Sequence, residues 1–292
     1  MPKPKFLSSD RTSNFGISVS YFELPFFLNP LHYHKELELA YIIEGYGTRY
    51  VGSSIKSYQK GDMVLVGEEL THVWKSDQQF YEKDTDLLTK AIVLKFYPDF
   101  AGKDFLRIPD VYPINRVFEK ASGGLHIEGK TNEIISNILH KMLDQSSLEQ
   151  MASLIQILSL ISKSEEVEVL SNFDLHKSSN PKEKDRMNKI IQHTMLNFTK
   201  NISLDEISNV ANLSKSAFCR YFKNAVKKSY SEFLYEVRVE FACKMLLESN
   251  VTIMQICYES GFNNPSAFSQ IFKRAKGVTP NQYRKSNMIV NY

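Results

Sequence analysis

The stretches SLDEISNVANLSKSAFCRYFKNAVKKS, residues 203–229, and TIMQICYESGFNNPSAFSQIFKRAKGVT, residues 252–279, are two copies of one pattern. The first part of each copy matches at an offset of 49 residues, and the second part at an offset of 50 after a one-residue difference in the turn. The matching pairs are Ser203/Thr252, Leu204/Ile253, Ile207/Ile256, Ser216/Ser266, Ala217/Ala267, Phe218/Phe268, Phe222/Phe272 and Lys223/Lys273. The repeat predicts that the C-terminal third contains the same small structural unit twice.

Each copy carries the residues that begin two helices. Ser203–Glu206 and Thr252–Gln255 are capping boxes, in which each side chain satisfies a backbone N–H that the helix leaves without a partner. After the turn, Ser214 can cap the second helix of the first copy, and Asn264-Pro265 has the N-cap and first-turn chemistry of the second. Two short helices joined by a tight turn form a helix-turn-helix unit, so the sequence predicts two such units.

The second helix of each unit has one apolar face and one polar face. Phe218 and Phe222, like Phe268 and Phe272, recur at four-residue spacing and are predicted to be core residues. A polar helix face is usually only solvated, but this one is duplicated and basic, which favours hydrogen bonds to base edges and phosphates in a DNA major groove. The polar faces consist of Ser216, Arg220 and Lys223, and of Ser266, Gln270 and Lys273.

The segment between the two units is predicted to be one continuous helix. SYSEFLYEVRVEFACKMLLES, residues 229–249, repeats apolar residues at four-residue steps from Phe233 to Met245. A helix of this length spans about 30 Å. Successive major-groove faces on one side of B-DNA lie ~34 Å apart, so this helix is long enough to hold both polar faces on adjacent turns.

Charge is distributed unevenly along the chain. The net charge of the 292 residues is +3, but residues 185–292 contain 15 Lys or Arg against 8 Asp or Glu, a balance of +7. Residues 1–184 therefore carry −4. A basic C-terminal third favours a polyanionic partner such as nucleic acid.

The second unit and the segment after it carry a specific set of residues at a specific spacing. They are Gly261-Phe262, Phe268, Phe272-Lys273, Gly277, Thr279-Pro280 and Tyr283-Arg284. In these residues the chain resembles the AraC/XylS family of bacterial transcription regulators, over about residues 183–288. Lys227 departs from the family pattern, in which the first unit often has glycine at this position.

The resemblance implies an all-α DNA-binding domain that contacts promoter DNA as part of a homodimer, with RNA polymerase as a further partner where the protein acts as an activator. It also implies roles for individual residues. Base contacts are expected from Lys215, Ser216, Arg220, Asn263, Asn264, Ser266, Ser269 and Gln270. Phosphate contacts are expected from Lys223, Lys273 and Arg274.

The N-terminal part has a different pattern. Short β-rich runs separated by turn-prone pieces predict a β-barrel or sandwich over about residues 15–110. The runs are LELAYII at 37–43, YGTRYVG at 46–52, MVLV at 63–66 and KAIVLKF at 90–96. Helical spacing then predicts amphipathic helices at 131–144 and 147–163, which either cover the barrel or pair with a second copy in a dimer.

The stretch LHYHKELELAYIIEG, residues 31–45, matches the first cupin motif through His32, His34, Glu38 and Gly45. Residues 61–72 resemble the second motif, although Gly67 and Glu69 replace its usual proline and glycine. The resemblance implies a cupin-like barrel, as many regulators of the AraC/XylS family have. His32, His34 and Glu38 share one parity, so on a single strand they would project to one side, with His72 arriving from another strand.

The interpretation favoured for this part is a pocket for a small-molecule effector, with carbohydrate as a candidate class. Its expected lining is His32, His34, Glu38, His72 and Trp74. Trp74 could equally be a packing residue, and the histidines could form an internal hydrogen-bond network. The less favoured alternative is that His32, His34, Glu38 and His72 bind Fe, Mn, Ni or Zn, since imidazoles and carboxylates ligate these metals.

Several functional classes find no support in the sequence. It has no G-x-S-x-G, phosphate-loop, G-x-G-x-x-G or H-E-x-x-H motif, so neither enzymatic activity nor a cofactor is expected. No apolar run approaches the roughly 18 residues of a membrane span, and the start lacks a signal-peptide core, so a cytoplasmic location without a membrane partner is expected. The three cysteines are expected to be small buried helix residues.

These patterns together predict an α+β multidomain protein with an N-terminal cupin-like β-barrel followed by helices and a C-terminal all-α domain with two helix-turn-helix units. Residues 1–170 would sense a ligand and dimerise, residues 171–182 would be a linker, and residues 183–292 would bind DNA. Two rival hypotheses are a metal-dependent cupin enzyme fused to a DNA-binding domain and a DNA-binding protein that needs no ligand.

Overall fold

The computed structural model describes residues 16–27, 29–82, 85–102, 104–171, 181–248 and 251–288. Contacts divide the chain into an N-terminal unit, Met1–Gly52 with Ser57–Ser179, and a C-terminal unit, Ser53–Lys56 with Asn180–Tyr292. Of the linker expected at 171–182, residues 172–180 lie outside the described residues.

The strands of the N-terminal part form two sheets. They are β1 Ile17–Leu24, β2 Leu37–Glu44, β3 Gly47–Val51, β4 Ser54–Tyr58, β5 Met63–Val66, β6 His72–Ser76, β7 Thr89–Phe96, β8 Leu125–Ile127 and β9 Val167–Val169. The larger sheet has the order β1-β7-β2-β5-β8-β9, and the smaller has the order β4-β3-β6. Over the described residues the strands therefore make two sheets and not one closed barrel.

Both faces of the larger sheet are buried. Successive side chains of a strand point to opposite faces, so one strand contributes to two cores. In β2, Leu37 and Leu39 belong to the core on one face. Ala40 and Ile42 belong to a second core, which also contains Val51, Tyr58 and Trp74 from β3, β4 and β6. The second core thus combines residues of both sheets, and the alternation places Glu38 of β2 on the same face as Ala40.

Three helices of the N-terminal unit pack on the first face of the larger sheet. They are α1 Tyr112–Ala121, α2 Gly129–Met142 and α3 Ser147–Lys163. Buried residues such as Val117, Leu139 and Ile157 join the first core. The apolar stripes of α2 and α3 therefore cover the sheet.

The C-terminal unit is helical. Its helices are α4 Pro181–Asn197, α5 Leu204–Val210, α6 Lys215–Val226, α7 Tyr230–Glu248, α8 Ile253–Glu259, α9 Pro265–Lys276 and α10 Pro280–Met288. The pairs α5–α6 and α8–α9 are the two helix-turn-helix units, and α7 connects them. No helix within the described ranges combines the length and apolarity needed to cross a bilayer.

The helix starts follow the predicted chemistry only in part. The Ser203 hydroxyl accepts a hydrogen bond from the N–H of Glu206 at 3.0 Å, which is the first half of the predicted capping box. The Glu206 carboxylate, however, pairs with His193 at 2.8 Å. In the second unit the Gln255 amide donates to Glu259 at 2.7 Å. The predicted second half of each box is therefore wrong, because each of these side chains instead pairs with another side chain, His193 or Glu259.

After each helix-turn-helix unit, an arginine of the following helix binds the backbone at the end of the long helix that precedes the unit. Arg238 of α7 and Arg284 of α10 each donate from Nε and Nη2 to two backbone carbonyl oxygens. The acceptors are Phe198 and Lys200 for Arg238, at 2.7 and 2.8 Å, and Leu246 and Val251 for Arg284, at 3.3 and 2.8 Å. The duplication thus extends to the way in which each unit is held.

The departure at Lys227 has a clear conformational cost. Lys227 ends α6 with φ 62°, and Gly277 ends α9 with φ 76°, both in the left-handed region. Each donates its N–H to the carbonyl four residues earlier, Lys223 or Lys273. Glycine adopts this conformation freely, whereas a residue with a Cβ is strained there by roughly 1–2 kcal/mol.

Lys227→Gly should raise the free energy of unfolding of the C-terminal unit by about 0.5–1 kcal/mol, since part of the relieved strain is offset by the greater unfolded-state freedom of glycine. The measurement is the urea midpoint followed by circular dichroism at 222 nm. Gly277→Ala is the matched control with opposite sign, because an added Cβ there meets no atom within 4 Å and only conformation changes. Trp74, the single tryptophan, reports the N-terminal unit and should keep its transition. An unchanged or lower midpoint for Lys227→Gly would contradict this account.

Candidate functional site

Helix α6 presents a polar face because its two phenylalanines are buried. Phe218 and Phe222 are inaccessible to solvent, and their rings pack against Tyr230 at 5.5 and 5.4 Å between centroids. Ser216, Arg220 and Lys223 are exposed. Ser214 caps the helix by accepting from the N–H of Ala217.

Helix α9 repeats this arrangement. Phe268 and Phe272 are inaccessible to solvent, whereas Ser266, Gln270 and Lys273 are exposed. Asn263, Asn264 and Arg274 are exposed as well, and Ser269 is half-buried. Both helices therefore offer hydrogen-bonding and cationic side chains to solvent.

Three of the expected DNA-contacting side chains have partners among the described residues of the C-terminal unit, and one of them is Ser216, whose hydroxyl lies 3.4 Å from that of Ser214. The Lys215 ammonium pairs with Asp205 at 2.8 Å. Asn264 Oδ1 accepts from the N–H groups of Ser266 and Ala267 at 2.9 and 3.1 Å, which caps α9. To contact DNA, the Lys215 ammonium would have to leave the Asp205 carboxylate. Because the Asn264 oxygen is already hydrogen-bonded, only the amide N–H groups of Asn264 can bind a base.

The cysteines correct one expectation. Cys243 and Cys257 are buried as expected, but Cys219 is exposed on α6. The reason is helical periodicity, since Cys219 follows the buried Phe218 by one residue and so lies about 100° away from it.

The four cupin-motif residues come together in the N-terminal unit. Their ligand atoms, three imidazole nitrogens and a carboxylate oxygen, lie within 4.8 Å of one another, and all four residues are buried. His32 and His34 precede β2, so the expectation that they share a strand with Glu38 is wrong. His32 instead forms a β-bridge with His72, with N–H to carbonyl distances of 3.1 and 2.8 Å.

The backbone fixes the tautomer of each histidine in this cluster. Nδ1 lies 2.8 Å from the carbonyl oxygen of Pro30 for His32, 3.0 Å from that of Glu36 for His34, and 2.7 Å from that of Leu70 for His72. A carbonyl only accepts, so in a neutral ring Nδ1 carries the hydrogen and Nε2 carries the lone pair. Burial lowers the pKa of His32 to about 3, which favours its neutral ring, and burial also lowers the pKa of His34, although the hydrogen bond between His34 and Glu38 opposes that shift.

Lys95 is a member of the cluster that the sequence interpretation missed. It lies opposite Glu38 in the β2–β7 register, and its Nζ is 3.1 Å from Glu38 Oε2 and 3.4 Å from His34 Nε2. Burial alone would raise the pKa of Glu38, but its interactions with His72, His34 and Lys95 bring that pKa well below the ordinary value. The carboxylate is therefore ionised beside a lysine ammonium.

Trp74 lies next to the cluster. Its ring centroid is 6.0 Å from that of His72, and the residue is part of the second core. Its indole Nε1 is buried and has no hydrogen-bond partner within the described part of the chain. The tryptophan thus packs as a core residue while one polar atom stays unsatisfied.

A second buried polar group, Arg49, was also missed. Its guanidinium is almost inaccessible, and Nη1 lies 3.5 Å from Asp62, which in turn accepts from His126 at 3.0 Å. An arginine in the strand YGTRYVG is the signal that could have found it, because Arg49 and Val51 share one parity and Val51 is a core residue.

Comparison with known proteins agrees with the helical architecture. Residues 207–286 match a family described as "Helix-turn-helix domain". An uncharacterized HTH-type transcriptional regulator, YdeC of Bacillus subtilis, is 26% identical over 265 residues, which cover 88% of this chain and 87% of the relative. An uncharacterized HTH-type transcriptional regulator of Pseudoalteromonas carrageenovora is 34% identical over 103 residues; they cover 34% of this chain and 61% of the relative.

Among solved structures, ToxT from Vibrio cholerae is 16% identical over 92% of this chain and 98% of its own, with a TM-score of 0.38. A likeness at that TM-score supports no inference about this chain. The sequence match over residues 207–286 coincides with α5 to α10, where the repeated units lie. Residues 207–286 are therefore a helix-turn-helix domain of the AraC type, and the resemblance to the AraC/XylS family of transcription regulators is confirmed for the C-terminal unit.

Proposed function

We propose that this protein is a sequence-specific DNA-binding transcription regulator that responds to a small molecule bound in its N-terminal unit. The observation that carries the proposal is the repeated second helix of the two helix-turn-helix units. We call these two helices, α6 and α9, the reading helices. In both α6 and α9, a buried phenylalanine pair leaves polar and basic side chains exposed on the other side. Such side chains match the hydrogen-bonding groups of base edges and phosphates.

The connecting helix suits a continuous DNA site. Helix α7 has 19 residues, which corresponds to roughly 28 Å. That length is close to the ~34 Å between successive major-groove faces. Lys215, Ser216, Arg220, Asn263, Asn264, Ser266, Ser269 and Gln270 would contact bases, while Lys223, Lys273 and Arg274 would contact phosphates.

The side chains of Arg220 and Lys273 should have different effects when removed. Arg220→Ala should relax sequence preference, because a bidentate base contact discriminates by about 1–3 kcal/mol. Lys273→Ala should weaken binding to all sequences alike and lower the slope of log K against log salt by about one unit, since one phosphate contact is lost. Fluorescence anisotropy on specific and scrambled duplexes separates the two effects.

Lys189→Ala is the charge-matched control, because Lys189 lies on α4 and pairs with Asp185 at 2.6 Å. It should change neither preference nor salt slope. Equal losses on specific and scrambled DNA for both Arg220→Ala and Lys273→Ala would contradict the assigned roles.

The two sheets of the N-terminal unit would act as a cupin-like sensor with the effector among His32, His34, Glu38, His72 and Trp74. Two observations support this. Residues of both sheets contribute to the second core, and the polar cluster joins the segment before β2 to β6. Unsatisfied polar atoms at His32, His72 and Trp74 offer hydrogen-bond partners to a polar ligand such as a carbohydrate.

Residues 1–170 would also dimerise, residues 171–182 would link the domains, and residues 183–292 would bind DNA. Exposed apolar side chains of α2 and α3, Ile134 and Leu148, support a seam on these helices. RNA polymerase would be a partner of an activator. As a bacterial transcription regulator and not an enzyme, the protein would act in the cytoplasm, where the DNA lies.

The full chain should prefer DNA from upstream of its own operon to a scrambled fragment by ~10³-fold or more, because specific sites exceed non-specific binding by that margin. Anisotropy across a salt series provides the measurement. The test uses every upstream fragment and protein with an intact effector site. If the affinity for both duplexes is then equal and steeply salt-dependent, site-specific regulation is contradicted.

A further inference from the structure

We propose that Glu232, in the first turn of α7, is a fixed negative charge on the DNA-binding surface and lowers the affinity of the protein for the DNA backbone. The inference adds a residue of opposite sign to the cations that the proposed function assigns to phosphates, and it rests on that function. The position of the Glu232 carboxylate, close to a cation of each reading helix, carries the inference.

A cleft of about 230 Å³ lies between α7 and α9 in the C-terminal unit. Its charged lining residues are Lys228, Glu232, Glu236 and Arg274. A water molecule takes up about 30 Å³ of liquid volume, so the cleft can admit a phosphate group. The reading helices themselves, KSAFCRYFKNAV and PSAFSQIFKRAK, contain basic residues and no acidic one. The cleft therefore brings two carboxylates beside α9, a helix that has none.

The two carboxylates of the cleft have different partners. The Lys228 ammonium lies 2.7 Å from each carboxylate oxygen of Glu236, so the charges of this pair cancel. Glu232 Oε2 instead accepts hydrogen bonds from the backbone N–H and the hydroxyl of Ser229, both at 2.8 Å. Because these donors carry no charge, they hold the Glu232 carboxylate without neutralising it.

The contact between Ser229 and Glu232 is a complete capping box. The Ser229 hydroxyl also accepts from the N–H of Glu232 at 3.2 Å, so both halves of the box are present at the start of α7. A capping box accepts glutamine as well as glutamate, because either side chain offers an oxygen to the backbone N–H. Capping therefore explains the position of this side chain but does not require its charge.

Glu232 lies close to one cation of each reading helix. Arg274 of α9 lines the same cleft. Lys223 of α6 follows Phe222, and the ring centroid of Phe222 lies 5.5 Å from that of Phe233. Phe233 in turn follows Glu232. The hydrogen bonds of the capping box lower the pKa of Glu232, and the charges of Arg274 and Lys223 lower that pKa further, so the carboxylate is ionised and interacts with both cations.

A DNA backbone that binds Lys223 and Arg274 must pass near the Glu232 carboxylate. Phosphate and carboxylate repel each other, and the capping box keeps the carboxylate from turning away. Each phosphate that the protein neutralises contributes about 0.9 to the slope of log K against log salt. One fixed carboxylate therefore offsets about one cation of the DNA-binding surface. Phosphates carry no sequence information directly, so Glu232 lowers the affinity for all sequences alike.

The experiment compares the full-length wild-type protein with Glu232→Gln, by fluorescence anisotropy on the upstream and the scrambled duplex across a salt series. Glutamine keeps the helix cap and removes the charge. The affinity of Glu232→Gln for both duplexes should be about five- to tenfold higher at about 0.1 M salt, and its salt slope steeper by about one unit, because one more counterion is released. Glu232→Lys changes the charge by two units and should steepen the slope by about two.

Glu149→Gln is the matched control, because α3 of the N-terminal unit begins with the same capping box. Glu149 Oε2 accepts from the N–H and the hydroxyl of Ser146 at 2.8 and 2.7 Å. The substitution changes the net charge of the chain by the same amount and preserves the same kind of cap. Glu149→Gln should bind both duplexes like the wild type. Circular dichroism across a urea series should give one midpoint for the wild type and both glutamine variants.

The outcomes separate this inference from the proposed function. If Glu232→Gln has the affinity and salt slope of the wild type, or differs from it only as much as Glu149→Gln does, the inference is overturned. A lower affinity of Glu232→Gln also overturns it. In each of these cases the regulator function stands as long as the wild type prefers the upstream duplex. If the wild type binds neither duplex, the proposed function fails, and the inference fails with it.

Discussion

The rotation of each reading helix about its own axis is set by two buried phenylalanines. Phe218 and Phe222 in α6, and Phe268 and Phe272 in α9, have ring centroids 5.7 Å apart in both helices and are inaccessible to solvent. Burying one such side chain stabilises the fold by about 1.5–3 kcal/mol. Any rotation that turned the polar stripe inward would expose both rings and bury charges. The burial of the two rings therefore fixes the direction in which the polar face of the helix points.

The N-terminal unit obeys a different constraint. Its larger sheet is covered on both faces, so a polar side chain on the second face must find partners inside an apolar core. Each buried polar group without a partner costs roughly 1–3 kcal/mol. The cluster at His32, His72 and Trp74 keeps three such atoms. On the proposed function, a bound effector would supply the missing hydrogen-bond partners.

The sequence was most informative where structure depends on neighbouring residues. The repeat, the N-caps at Ser203 and Asn264 and the four-residue spacing of Phe218 and Phe222 are local signals, and the structure has these features. The carboxylate of Glu206 was misassigned because its partner, His193, lies on another helix. Local chemistry cannot rank such a competitor against the predicted one.

The candidate effector site shows the same limit. The shared parity of His32, His34 and Glu38 correctly predicted that their side chains converge. It did not predict the backbone arrangement, in which His32 forms a β-bridge with His72. Lys95 entered the cluster through the pairing of β7 with β2, 57 residues apart in the Glu38–Lys95 register. A single sequence carries no signal for the register of two distant strands, although a lysine with the parity of Ala91 in KAIVLKF marks an inward-facing charge.

Helix α7 belongs to both repeats at once. Its Arg238 holds the backbone after α4, and its own end is held by Arg284 of α10. One continuous helix therefore sets the distance between the two helix-turn-helix units. On the proposed function, the two base-reading boxes of an operator must then keep one spacing, because each inserted base pair turns one box by about 35° around the DNA axis relative to the other. Operators of this protein should accordingly vary in sequence more readily than in length.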